Sequence, residues 1–234
     1  MLIGSTVALG ATFYRRLPVW PIAASIASYP LFAFIAGHWA YVLLYALDAA
    51  IANPWIWLQF GSGTSSLISG PLWMLISIVM MIVGGFRKLP AQLDVAALGL
   101  AATATVGRLG CFLVHDHPGI ATDFFLGVRG ICGVDQASSS GACHDLGLYE
   151  MLGWGTLFIT AGTMFLRKVR PSVAAATVLI GYGLLRLAID PLGVPLGPSF
   201  SQVIVPIALF LGSGLVLAAG FVIPQVWPDK TIEG

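Results

Sequence analysis

The sequence predicts an all-α fold, a polytopic membrane helix bundle of about seven transmembrane helices. Three observations carry that prediction: scarce charge, long apolar runs, and basic residues confined to every second connection. Only 9% of the 234 residues are charged and 58% are hydrophobic, where a soluble domain carries roughly 25% charged residues. Mean hydropathy is +0.92. These values exclude an ordinary soluble globule and a disordered chain. With 11 Lys+Arg against 10 Asp+Glu, they also exclude a nucleic-acid binder held by clustered basic residues.

A span needs about 20 mostly apolar residues, because the hydrocarbon core is ~30 Å thick and a helix rises ~1.5 Å per residue. Residues 1–14 are apolar and end at Arg15-Arg16. A signal peptide would put its positive charges before the apolar stretch, so this reads as a short first span, and the count falls to six if it fails. Residues 17–47 are uncharged but broken by Pro18, Pro21 and Pro30, which predicts one kinked span. The runs 65–86, 91–113, 146–166, 172–189 and 201–224 are the five clear spans.

The connections test this count independently. Arg15-Arg16, Arg87-Lys88 and Arg167-Lys168-Arg170 occupy alternate connections, which the positive-inside rule places in the cytoplasm. The connections 48–64, 114–145 and 190–200 hold Arg129 as their one basic residue against Asp48, Asp116, Asp123, Asp135, Asp145 and Asp190, and are expected to face outward. No polar linker divides the chain, so 1–234 is expected to be a single membrane domain with 114–145 as its extracytoplasmic loop. Paired broken helices in two halves, the mark of an inverted-repeat transporter, are not evident in the sequence.

An ionisable residue inside a span is a functional hypothesis, since an arginine costs about 2.5–3.5 kcal/mol to insert at the helix centre. Arg108, in VGRLGCF, lies five residues before the outer end of its span, and Arg186, in GYGLLRLAID, lies three before its own. Both guanidiniums therefore fall at similar depth, just beneath the outer headgroup layer. Tyr182, Arg186 and Asp190 are spaced i, i+4, i+8 and share a helix face. The phenol and the carboxylate are thus expected to orient a guanidinium that keeps donors for an anion, and its planar fork suits the paired oxygens of a lipid phosphate. The plain alternative is that each arginine snorkels to water and does nothing else.

The loop 114–145 and its ends carry His115, Asp116, His117 and Gly119 on one side and His144, Asp145, Tyr149 and Glu150 on the other. Three histidines with Asp and Glu leave open a zinc site of three protein ligands and a water. Against it, HxH is not a specific spacing and the HExxH signature is missing. The bland reading is interfacial hydrogen bonding, and His38, alone in an apolar span, reads as a helix–helix hydrogen bond. Cys132 and Cys143 close the loop segment CGVDQASSSGAC. In an exported, oxidising compartment they are expected to form a disulfide, leaving Cys111 free. Apolar flanks mark Cys111 as an inert thiol.

GRLGCF at the outer end of one helix, HDLGLYE opening the next and YGLLRLAID on the following one resemble the signature elements of the prolipoprotein diacylglyceryl transferase family. Order, spacing and membrane side agree over about 91–206, a stretch that also takes in SQVIVP. The resemblance implies a multi-pass enzyme of the bacterial cytoplasmic (inner) membrane that needs neither cofactor nor metal. Such an enzyme moves diacylglyceryl from phosphatidylglycerol, in contact with membrane lipids, to the lipobox cysteine of preprolipoprotein signal peptides at the outer face, as a thioether. It implies catalytic roles for Arg108, Arg186, His144, Tyr182 and Glu150, and substrate contacts from Asp116, Gly119, Tyr149, Asp190 and Gly110. The arginines would stabilise the charge growing on the glycerol phosphate leaving group, and His144 or a carboxylate would accept the thiol proton.

The chain also departs from the family pattern. Cys111 stands where the family has Asn, Asp145 and Gly147 where it has Pro and Gln, and Gly193 where it has Arg. Asp116 and Asp190 replace Glu, and GSGTSSLISG lacks the expected histidine. Besides the transferase, two readings remain: a paralogue that binds or transports phospholipid or transfers a lipid headgroup to another acceptor, and a membrane metalloenzyme that would lose its metal on substitution of His115 and His144.

Overall fold

The chain folds as a helical membrane protein, as its sequence predicts. Its computed structural model describes residues 2–60, 66–133, 141–193 and 200–226. The helices are α1 (Leu2–Tyr14), α2 (Val19–Leu31), α3 (Gly37–Tyr45), α4 (Leu47–Ala52), α5 (Ser66–Val83), α6 (Leu89–Val114), α7 (Leu146–Leu166), α8 (Val173–Ile189) and α9 (Phe200–Val226). Parts of the connections expected to face outward, 61–65, 134–140 and 194–199, lie outside the described residues, as does the tail after Val226.

Val19–Leu43, Phe86–Val114, Val173–Leu192 and Val205–Val226 are each long and apolar enough to cross a membrane. α7 occupies the expected run 146–166 with 21 residues. The 13 residues of α1 rise about 20 Å, short of the ~30 Å core. Side chains are distributed as a lipid environment demands. Alanines such as Ala101, Ala161 and Ala174 to Ala176 are buried, while Leu113, Ile159 and Leu215 are exposed. Lipid tails are as apolar as leucine, so helices associate through close packing rather than expulsion of large apolar groups from water. Between α7 and α8 that packing interlocks. Gly153 receives the Leu185 side chain and Gly181 receives Leu157, and a Cβ at either glycine would displace the leucine seated on it.

The chain falls into two compact units, Met1–Ala11 with Pro90–Gly234, and Thr12–Leu89. In the second, the predicted proline kink takes a definite form. Pro30 supplies no N–H, and a π-helical turn over Phe32–Ala36 follows it before α3 resumes the regular ladder, as helices do where that ladder is interrupted. His38 is fully buried and hydrogen-bonds the Ile56 carbonyl at 2.9 Å. Ile56 belongs to the single turn Pro54–Leu58.

In the first unit, the start of α8 is capped from α6. Ser172 has φ 78 and its own side chain does not cap. Instead the buried Asp94 carboxylate accepts the Ser172 N–H at 3.0 Å and the Ala175 N–H at 2.9 Å. A carboxylate at a helix N-terminus satisfies orphan donors and complements the macrodipole.

The described residues of the loop 114–145 carry more regular structure than their composition suggested. They build a three-stranded antiparallel sheet of β1 (Pro118–Ala121), β2 (Val128–Arg129) and β3 (Ala142–Asp145), with β3 in the centre. A Cys132–Cys143 disulfide anchors β3, its Cα atoms 5.4 Å apart, and Cys111 is a free thiol. Every residue of β3 is buried, and β3 runs directly into α7.

Candidate active site

The end of α6, the start of α7 and the end of α8 converge on one carboxylate. Glu150 is 2% exposed. Its Oε2 pairs with Arg108 Nε of α6, and its Oε1 accepts from Arg186 Nη1 of α8 at 2.9 Å. Arg186 Nη2 reaches the Asp190 carboxylate at 2.7 Å, one turn further along. The similar depth expected for the two arginines thus takes the form of a shared ligand. Two positive and two negative groups balance, which lets the cluster exist away from bulk water.

The carboxylates lie behind and the guanidiniums in front. The Glu150 and Asp190 side chains are 3% and 8% exposed, against 27% and 26% for Arg108 and Arg186. Each guanidinium has five N–H donors in a fixed fork, and these contacts engage only part of them. Arg186 Nε is buried with no hydrogen-bond partner. With about a quarter of each guanidinium side chain exposed, the uncommitted donors are of a type that holds anionic oxygens in paired fashion.

Tyr182 takes a different position from the one its spacing suggested. Its ring lies against Trp154 of α7, centroids 4.4 Å apart, and among the described residues its phenol makes no hydrogen bond to Arg186. Orientation of that guanidinium falls to Glu150 and Asp190. The physical reason is the tight α7–α8 seam, in which aromatic stacking claims the tyrosine ring. The phenol remains in electrostatic contact with Glu150, Arg186 and Arg108.

At the junction of β3 and α7, Asp145 is the α7 N-cap. It accepts the Leu148 N–H at 3.1 Å and pairs through its other oxygen with His115 Nδ1 at 2.6 Å. His144 Nδ1 lies 2.6 Å from the Tyr149 hydroxyl. Burial, which disfavours an imidazolium, holds the His144 pKa below the usual imidazole range, so the ring is neutral at neutral pH.

Gly119 bridges to Gly193. A Cβ there would strike the Leu192 carbonyl and come within 3.0 Å of His144 Cβ, so the missing side chain lets β1 fit between the Asp190–Gly193 turn and His144 of β3. At Gly110 an added Cβ would meet nothing within 4 Å, leaving open space two residues from Arg108. Asp116 makes no ion pair with either arginine among the described residues. It is exposed and pairs with His117, and that hydrogen bond holds its carboxyl below the usual carboxylate range.

The zinc constellation considered from sequence takes another form. His115 and His144 each commit Nδ1 to a different partner, Asp145 and Tyr149. Among the described residues the donors that do converge are Cys111, Asp116 and His117. Two features escaped the sequence reading: the position of Glu150 between both arginines, and Asp94. The signal for Asp94 was present, a carboxylate at the fourth position of the run 91–113.

The family model described as prolipoprotein diacylglyceryl transferase matches residues 3–223, nearly the whole chain and well beyond the C-terminal half where the motifs lie. No curated protein matches the sequence.

Proposed function

The chain belongs to the prolipoprotein diacylglyceryl transferase family, and from that premise we propose that it transfers diacylglyceryl from phosphatidylglycerol to the lipobox cysteine of preprolipoproteins at the outer face of the bacterial cytoplasmic membrane. The observation that carries this reading is the buried Glu150 holding two guanidiniums side by side, each about a quarter exposed. Basic residues in alternate connections support the outward orientation, since they put this end of α6 and α8 on the opposite side.

In the proposed reaction the cysteine sulfur attacks the glycerol carbon that bears the phosphate ester. The C–S bond forms, the C–O bond breaks, and its electron pair leaves on the phosphate oxygen as glycerol phosphate. Charge grows on that oxygen in the transition state, where preorganised donors in a site of low dielectric act most strongly. Arg108 and Arg186 fill that role, with Glu150 and Asp190 holding them in place. The thiol proton passes to His144. In the tautomer whose Nδ1–H donates to the Tyr149 oxygen, Nε2 keeps a lone pair, and burial keeps the ring unprotonated.

The test uses purified protein with phosphatidylglycerol and a lipobox peptide, following thioether-linked lipid by mass spectrometry beside Arg108→Ala and Arg186→Ala. Product from the parent and none from folded variants is the expected result. A folded, lipid-bound parent that yields no product would overturn the reading in favour of phospholipid binding without turnover.

A further inference from the structure

At the outer end of α6, beside the arginine cluster but not part of it, three donors of different chemistry converge. His115 adopts φ 52 as the helix ends, and the Asp116 N–H turns back to the Cys111 carbonyl at 3.4 Å, so the Asp116 side chain returns over Cys111. His117 follows, its carbonyl fixed by the Leu146 N–H at 3.1 Å. The Cys111 sulfur, an Asp116 carboxylate oxygen and a His117 ring nitrogen all lie within 4.8 Å of one another. Asp116 and His117 are exposed and Cys111 is half-buried, so the group is open to solvent.

We infer that Cys111, Asp116 and His117 form a binding site for a thiophilic divalent cation of the zinc type. Tetrahedral zinc with Zn–S ~2.3 Å and Zn–N or Zn–O ~2.0–2.2 Å separates its ligand atoms by about 3.3–3.7 Å, so shifts of up to roughly 1 Å complete the set, the 2.5 Å His117–Asp116 contact opening as the wider separations close. One sulfur, one nitrogen and one oxygen suit zinc rather than magnesium or calcium, and three protein ligands leave a fourth position for water or an anion. Binding replaces the His117–Asp116 hydrogen bond and releases the thiol proton. Arg108 Nη1 is a donor 3.9 Å from the sulfur, a contact the bound metal would replace. None of these donors pairs with Glu150, although the site adjoins the cluster through Arg108; its evidence is the convergence of the three donors and does not depend on the transferase reading.

The test uses the whole protein in detergent with zinc chloride as the probe. Cys132 and Cys143 are bridged, so maleimide reports on Cys111 alone. The expected result is one tightly held zinc per chain, slowing of Cys111 alkylation by at least about tenfold, and at least about tenfold weaker zinc binding in Cys111→Ser and in His117→Ala. Alkylation that ignores zinc in the parent would overturn the inference without reference to any variant. So would zinc binding unchanged in both variants, with their melting temperatures matching the parent without metal.

Discussion

Replacing Glu150 by Gln removes the charge that joins the two arginines while keeping the shape. The amide offers one acceptor oxygen and turns an NH2 toward the other guanidinium, where donor faces donor. One charge-assisted bond, worth about 1.5–3 kcal/mol, is therefore lost, and the other falls to about half its strength, a total near 3 kcal/mol. The guanidiniums are about a quarter exposed and recruit water, which reduces the expected loss of stability to about 2 kcal/mol. Activity is expected to fall further, because misplacing one transition-state donor lowers kcat by about 10²–10³. Glu150→Asp keeps the charge but lacks a methylene, reaches one guanidinium only, and should fall between the two. Chemical denaturation in detergent and diacylglyceryl transfer to a lipobox peptide check both arms. Parent-like stability together with parent-like kcat in Glu150→Gln would refute the claim that this carboxylate sets the arginine pair.

Three further outcomes are expected. Asp94→Ala strands the Ser172 and Ala175 N–H groups in a buried setting, which should lower stability by about 3 kcal/mol, with partial rescue by Asp94→Asn in the same denaturation assay. For His144, burial depresses the folded-state pKa, so the unfolded chain takes up a proton first as pH falls. Its contribution to stability is complete above the ordinary imidazole pKa of ~6.5 and is lost as pH falls through the depressed value. Stability measured against pH should therefore lose an acid-side decline in His144→Gln, and an unchanged profile would remove His144 from that decline. Gly119→Ala drives a methyl into the Leu192 carbonyl and His144 Cβ, so transfer should drop while the far-ultraviolet circular dichroism spectrum holds, and undiminished transfer would show that the turn and strand need not touch.

Hydropathy and charge alternation were enough to read the helical membrane class, because one-dimensional composition determines what lipid accepts. The run 146–166 returned as α7 at the same bounds, and the proline-broken run 17–47 returned as helices joined by a π-helical turn. What composition could not convey was which side chains meet across helices. Spacing alone put Tyr182 and Asp190 on the face of Arg186, yet Trp154, on another helix, takes the tyrosine ring. Glu150 matched a family element in sequence, but its role as the joint between Arg108 and Arg186 depends on three helix ends meeting. The sheet in the loop was hidden because its strands are two to four residues long, too short to show an alternating pattern.

The Asp94 cap has a geometric consequence for the arginines. Asp94 binds Ser172, and Arg108 and Arg186 each lie fourteen residues further along their own chain segments. At ~1.5 Å per residue, both helices then climb about 21 Å from a common footing. They behave as two rails bolted together at the base, whose rungs come level at the top without any further adjustment. The alignment of the two guanidiniums is therefore set by hydrogen bonds about 21 Å away along both helices, and any slip of one rail against the other would appear as a mismatch between the two charges.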